Sequence, residues 1–329
     1  MTEKTIAILG AGSWGTAVAI HLARHGNRVL LWGQNSQYMA QMQSDRCNSR
    51  YLPDIVFPTA LEATSDLAAC QQRADEVIIA VPSHAFATLL AKLQAPTQGI
   101  TWLTKGIDPA SNRLLSELVA EHWGENYPLA ILSGPSFARE LAQGLPTAVT
   151  LAGNHGEYQK SLQQALHHDN LRVYLGNDIV GVQLCGAVKN VLAIACGISD
   201  GLGFGANAKA ALITRGLAEM RRLGLALGAR EETFMGLAGV GDLVLTCTDN
   251  QSRNRRFGLY LGEGMDLATA EATIGQVVEG RHNAAQVCKL ANDHQVDMPI
   301  CIQINALLQS KIPPHQAVTN LMSRRVGEE

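Results

Sequence analysis

Along the first half of the chain, short continuous apolar runs alternate with stretches whose apolar positions recur at helical spacing. The runs are TIAIL, RVLLW, EVIIAV, ITWLT, LAILS, TAVTLA and LRVYL. Continuous apolar runs, rather than strict alternation, predict strands buried on both faces, hence a mostly parallel sheet covered by helices. From about residue 178 the pattern changes to long stretches rich in Ala, Leu and Gly, such as ANAKAALITRGLAEMRRLGLALG, with no further run that reads as a strand. The expected architecture is an α/β domain over residues 1–177 followed by an all-helical domain over 178–329. Pro313 and Pro314 should introduce a last helix, and residues 326–329 read as a frayed tail. No repeat, low-complexity segment or Pro/Ser-rich tether marks the boundary, so the two domains are expected to pack closely around a cleft.

Composition narrows the partners. A length of 329 residues exceeds what one core usually spans, which agrees with two domains. Charged residues make up 17% and apolar residues 47%, against roughly 25% charged in an average protein, which points to much buried surface and to a homodimer. A formal net charge of −3 offers no general attraction to nucleic acid, so any anionic ligand must be caught locally. Neither a signal peptide nor a metal-ligand cysteine spacing is present, and the seven cysteines are expected to be reduced and mostly buried. The longest apolar stretch, around residues 179–198, is broken by Lys189 and Asn190, which argues against membrane insertion. A cytoplasmic location follows by elimination.

The segment TIAILGAGSWGTAVAIHLARHG places a GxGxxG pattern directly between a strand and a helix. Gly10 would permit the tight turn, Gly12 the approach of a pyrophosphate, and Gly15 close packing of helix on strand, with the phosphates at the helix N-terminus. Ser13 and Trp14 would lie on the loop facing the cofactor. This is the context of a Rossmann-type dinucleotide site. The second strand runs into Gly33, Gln34 and Asn35, where an NAD-selective or flavin fold usually carries a carboxylate for the ribose hydroxyls. Without it NADP(H) is admissible beside NAD(H), and FAD is disfavoured. His21 and His25 lie one helical turn apart, a spacing that can bind metal, but are read as two surface histidines.

Further chemistry sits at strand ends and in the helical half. Pro82 and Ser83 of AVPSH either line the nicotinamide pocket or merely end a strand. Lys105 of WLTKG, and Gly134, Ser136 and Ala138 of LSGPSFARE, fall at neighbouring strand ends and converge on one rim. Lys189 has Cys185, Gly186, Leu192 and Ala193 as its helical neighbours. A lysine so surrounded must snorkel, pair or function, and burial favours loss of its proton, which suits a donor to a carbonyl oxygen receiving hydride. Asp242, after a glycine turn, could cap a helix, orient Lys189, or both. Ser252, Arg253, Asn254, Arg255 and Arg256 form a cluster that fits a small anion or a solvated basic face.

These residues, in this order, resemble the bacterial NAD(P)-dependent glycerol-3-phosphate dehydrogenase family over essentially the whole chain. The fragments that carry the resemblance include GAGSWGTA, AVPSH, SGPSFARELA, GAVKNV, GISDGLGFGANAKAALITRGLAEM, GVGDLVLTCT, QSRNRRFG and VVEG. The resemblance implies reduction of dihydroxyacetone phosphate to sn-glycerol 3-phosphate, a precursor of membrane phospholipids, with NADP(H) or NAD(H) and no metal. It makes Lys189 the proton donor and acceptor, with Asp242 and Lys105 as the other catalytic residues. Substrate contacts carry over to Lys105, Gly134, Ser136, Lys189, Asp242, Ser252, Arg253 and Asn254. Cofactor contacts carry over to Gly10, Gly12, Ser13, Trp14, Gly15, Gln34, Lys105, Ala138, Arg253, Val277 and Glu279. Many members carry His or Arg where this chain has Gln34, so the choice between NADH and NADPH stays open. Two rivals remain: a sister dehydrogenase acting on another phosphorylated or carboxylated alcohol, and a silent cofactor sensor.

Overall fold

The protein is described by a computed structural model that covers residues 4–323; the expected tail at 326–329 lies outside the described residues. The chain forms two compact units. One combines the chain up to Lys105 with Leu115–Val182, and the other combines Gly106–Leu114 with the chain from Gln183 onward.

The first unit is built on ten strands: β1 (Thr5–Leu9), β2 (Arg28–Trp32), β3 (Cys47–Asn48), β4 (Leu52–Val56), β5 (Leu61–Thr64), β6 (Glu76–Ile79), β7 (Ile100–Trp102), β8 (Leu129–Ser133), β9 (Thr147–Gly153) and β10 (Leu171–Gly176). Eight of them form one sheet in the order β10-β9-β8-β7-β6-β1-β2-β5, and β3 and β4 pair separately as an antiparallel ribbon. All seven expected runs are strands of the large sheet, and β5 joins them as an unforeseen edge, where LEAT lacks the continuous apolar signature of a central strand. Pairing is parallel except between β8 and β9, which run antiparallel through Ala130↔Gly153 to Ser133↔Thr150. The central strands are buried along nearly their whole length, with β6 and β8 buried at every residue.

The sheet reverses direction of growth at β1, which has β2 on one side and β6 on the other. Gly10 and Ala80 follow the carboxyl ends of β1 and β6, at the switch point where open α/β sheets place ligands.

Helix Ser13–Arg24 ends in a cluster that overturns the expectation of two surface histidines. His21 is 1% exposed, and its Nε2–H donates to the Leu166 carbonyl at 2.8 Å, which leaves Nδ1 buried without a hydrogen-bond partner. His25 and His168 close over it; these two rings stack at 3.9 Å, and His25 lies 4.5 Å from His21. Helical spacing alone does not report what covers a helix face.

From Gln183 onward the described part of the second unit is built of helices, while its other segment, Gly106–Leu114, is a turn closed by the bridge Ile107↔Leu114. Its first long helix, Ile179–Gly201, is long and apolar enough to cross a membrane, but 89% of its apolar window is buried inside the protein. Helix Arg253–Gly262 crosses it at backbone contact. A Cβ added at Gly197 would lie 2.0 Å from the Arg255 carbonyl oxygen, and one at Gly258 would lie 2.1 Å from that of Ile194. Gly201 and Gly262 repeat the contact one turn further on, so side-chain-free positions on both helices let the axes approach. Helix Glu279–Asp293 approaches in the same way, with Gly280 against the Asn190 carbonyl. Pro313 caps the last helix, Pro314–Met322, as the sequence predicts. The seven cysteines are free, five of them buried.

The histidine cluster has a thermodynamic consequence. Burial, reinforced by the neighbouring His25, His168 and Arg24, lowers the His21 pKa from 6.5 to about 4 against the opposing bond to Leu166. The unfolded chain then binds the proton first, so this group's contribution is complete above pH 6.5 and is lost as pH falls towards 4. The loss is on the order of 3 kcal/mol at about 1.4 kcal/mol per pKa unit. Urea unfolding at a series of pH values should show this slope, and His21→Gln should remove most of it; an equal slope in that variant would show that other groups cause it.

Candidate active site

In the first unit the glycine loop has the geometry a pyrophosphate needs. Gly10 has φ +137°, and a Cβ there would fall 2.5 Å from the Ala80 carbonyl carbon, so no larger residue fits at the switch point. A Cβ at Gly15 would lie 2.1 Å from the Gly10 carbonyl oxygen, which makes glycine the condition for helix and loop to touch. At Gly12 an added Cβ meets nothing within 4 Å, so this side of the loop is open to a ligand. Ser13 and Trp14 form the first turn of helix Ser13–Arg24 rather than the loop before it, and no side chain caps that helix. The turn carries no acidic residue, so its N–H groups and dipole favour an anion. These features fit a dinucleotide diphosphate.

Beyond β2, Gly33 is buried, Gln34 is exposed and Asn35 caps the next helix by accepting from the Tyr38 N–H at 2.9 Å. The strand end thus presents an uncharged amide where a ribose would be read. Pro82 caps helix Ser83–Leu90, and Ser83 is buried. The next strand ends bring three expected residues together on one atom. Lys105 Nζ donates to the Gly134 carbonyl oxygen at 3.1 Å, and Ser136 Oγ donates to the same oxygen at 2.9 Å. Gly134, with φ +143°, packs 3.0 Å from the Val149 Cα through its missing Cβ position, and Ala138 opens a short helix shortly afterwards.

In the second unit Lys189 sits mid-helix and is 6% exposed. Its ammonium donates to Asp242 Oδ1 at 2.5 Å and to Thr246 Oγ1 at 2.9 Å. Asp242 is delivered by a one-turn π-type segment, Leu237–Gly241, bent at Gly239 where a Cβ would strike the Phe234 carbonyl. It opens helix Asp242–Thr248 at the first helical position, and its carboxylate receives the Lys189 ammonium. Thr246 lies one turn on, donates to the Asp242 carbonyl at 2.6 Å, and so offers its oxygen lone pairs to the lysine. Burying a cation and a carboxylate together is tolerable only because each compensates the other. Behind the pair, Cys247 has its thiol pKa pushed well up by its bond to Cys196 and by burial, which keeps that thiol neutral.

Asn190, next to the lysine, accepts from Asn254 Nδ2 at 2.9 Å, and Asn254 Oδ1 accepts from the Gly280 N–H at 2.9 Å. Arg253 donates to Gln276 Oε1 at 3.1 Å, which ties it to the segment holding Val277 and Glu279. Ser252 caps its helix by accepting from the Arg255 N–H at 3.2 Å. Arg255, by contrast, is bound to Asp200 and Asn250. The sequence cluster is therefore divided between two different sets of partners. Thr246, Asn190 and Gln276 were not singled out from sequence. The first stands four residues after Asp242 and the second beside Lys189, positions that helical geometry could have flagged; Gln276 carries no local signal. Among the described residues, no three His, Cys, Asp or Glu side chains are grouped to hold a metal ion.

Comparison with known proteins agrees with this arrangement. Residues 5–159 match the family model for the NAD-dependent glycerol-3-phosphate dehydrogenase N-terminus, and residues 178–319 match the model for the C-terminus. A Legionella pneumophila protein named glycerol-3-phosphate dehydrogenase [NAD(P)+] is 65% identical over 329 residues, all of both chains. The crystal structure of glycerol-3-phosphate dehydrogenase from Coxiella burnetii superposes with a TM-score of 0.95 at 51% identity, covering 98% of this chain and 99% of that one. The corresponding yeast structure, from Saccharomyces cerevisiae, gives a TM-score of 0.81 at 26% identity, covering 97% and 99%. With both halves matched and relatives this similar over their full length, the chain belongs to the NAD-dependent glycerol-3-phosphate dehydrogenase family.

Proposed function

We propose that the protein interconverts dihydroxyacetone phosphate and sn-glycerol 3-phosphate, with Lys189 as the proton donor in reduction and acceptor in oxidation. The observation that carries this reading is the buried Lys189 ammonium, held by Asp242 at 2.5 Å and Thr246 at 2.9 Å. A nicotinamide dinucleotide bound on the glycine loop would supply the hydride to C2 of the ketone. As C2 becomes tetrahedral, its oxygen takes the electron pair of the C–O π bond and needs a proton. Lys189 Nζ gives that proton and is left as an amine, to be reprotonated before the next turnover; in oxidation the same atom receives it. Asp242 fixes the direction of the ammonium and balances its charge. Thr246, whose own proton is engaged by a backbone carbonyl, can only accept from the lysine and so holds a second N–H in place.

Substrate selectivity is assigned to the phosphate. Arg253, Asn254 and the Ser252 region offer a guanidinium and neutral donors, and binding at a non-reacting phosphate can be spent on orienting the carbonyl. Lys105 and Ser136, gathered on the Gly134 carbonyl oxygen, are assigned as further polar contacts to substrate. The product is a backbone for glycerophospholipids, and we place the enzyme in the cytoplasm as a homodimer, in keeping with its low charge content.

Lys189→Met should fold and bind cofactor yet lose about 10²- to 10⁴-fold in turnover, the usual contribution of a positioned acid. Steady-state assays of cofactor oxidation with dihydroxyacetone phosphate check this, and turnover near that of the unmodified enzyme would remove Lys189 from the mechanism. The uncharged strand-two end predicts activity with both NADH and NADPH. Gln34→Asp should lower kcat/KM for NADPH relative to NADH by about tenfold, through repulsion of the 2′-phosphate; an unaltered ratio would mean that Gln34 does not face the ribose.

A further inference from the structure

Arg255 lies two residues beyond Arg253 in a cluster that the phosphate reading would treat as one set of cations. It is only 8% exposed, and its guanidinium donates to the Asp200 carboxylate in the last turn of helix Ile179–Gly201. It also donates to Asn250 Oδ1, in the turn that precedes the Ser252 cap. Asp200 Oδ2 additionally receives Lys209, at 2.9 Å, from helix Gly205–Ala226. One carboxylate therefore gathers three helices and the turn leading into Ser252, Arg253 and Asn254.

We propose that Arg255 is a positioning residue, not a phosphate ligand: with Asp200 and Asn250 it locks the Ser252–Asn254 segment onto the helix that carries Lys189, and so sets how the substrate phosphate is held. The inference rests on the phosphate reading of Ser252, Arg253 and Asn254 given above. Two ties join the segment to the lysine helix. Asn254 binds Asn190 beside the lysine, and Arg255 binds Asp200 ten positions later, about 15 Å along the axis at 1.5 Å per residue. A single tie would let one helix pivot on the other around the glycine contact at Gly197 and Gly258. Two separated ties fix the angle as well as the distance. The reach to Asn250 adds a third constraint, on the turn itself, so that Arg253 leaves the helix N-terminus in one direction. Such precision matters because a displacement of about 1 Å at a positioning group can cost up to about 100-fold in rate.

The test is a KM-against-kcat comparison on the full-length enzyme, with dihydroxyacetone phosphate and with unphosphorylated dihydroxyacetone. Asp200→Asn, which keeps the shape but removes the charge, should raise KM for the phosphorylated ketone about tenfold, with kcat within about threefold and the cofactor KM unchanged. Asn250→Ala, at an exposed turn position, should raise the same KM about threefold without disturbing folding. Arg255→Lys should fall between these and the unmodified enzyme, and Lys209→Ala should leave KM unaltered, because it leaves the Arg255 contacts in place. None of the variants should change kcat/KM for dihydroxyacetone, which has no phosphate to position. A merely structural role would instead lower activity towards both ketones and weaken cofactor binding together. Arg253→Ala separates the two claims: if it leaves KM for the phosphorylated ketone unchanged, the phosphate reading itself fails. If it raises that KM while folded Asp200→Asn and Asn250→Ala do not, the positioning role of Arg255 is overturned. Should Asp200→Asn fail to fold, Asn250→Ala and Arg255→Lys decide the matter, and unchanged KM in both counts against the proposal.

Discussion

A cation buried in the middle of an apolar helix is the constraint around which the helical unit is organised. Lys189 is 6% exposed and Asp242 1%, so neither charge could remain there without the other. Removing one partner of such a pair typically costs about 3–5 kcal/mol, comparable to a large part of a domain's net stability. The tight bend at Gly239 and the back-bonded Thr246 serve to bring a carboxylate and an acceptor hydroxyl to that ammonium. A structural ion pair would be equally stable elsewhere. One built beside Asn190, Asn254 and Gly280, in a family of glycerol-3-phosphate dehydrogenases, is what the proposed proton donor requires.

Glycine has the same mechanical task in both units, which is to let backbone meet backbone. At the switch point of the sheet, Gly10 and Gly15 bring the first helix onto the loop after β1, leaving N–H groups exposed to a diphosphate. In the helical unit, Gly197, Gly201, Gly258 and Gly262 bring helix Arg253–Gly262 onto the lysine helix. Each contact would be abolished by a methyl group, since the added carbon would lie within about 2.5 Å of a backbone atom. Close approach sets distance; the polar ties of Asn254 and Arg255 then set orientation.

Much of this was legible in the amino-acid sequence because the signals are local. The glycine loop, the seven apolar strands and the switch to helical periodicity each lie within a few turns of chain. Lys189 was conspicuous because a charge among Cys185, Gly186, Leu192 and Ala193 has no bland explanation. What stayed hidden depends on partners distant in sequence. The antiparallel step from β8 to β9 is a matter of chain direction, which composition does not encode. β5 was missed because an edge strand needs no continuous apolar run. The cover over His21 comes from His168, far along the chain, and the split of Arg253 from Arg255 depends on Asp200, 55 residues away from Arg255.

The central claim is that an ammonium at one buried position supplies the proton. Chemical rescue tests it most directly: Lys189→Ala leaves space beside Asp242 and Thr246 that a small alkylammonium ion can fill. Turnover of dihydroxyacetone phosphate, nearly abolished in this variant, should rise with added ethylamine, while a neutral alcohol of similar size has no effect. High turnover in Lys189→Ala without any amine, or equal stimulation by the alcohol, would contradict the claim.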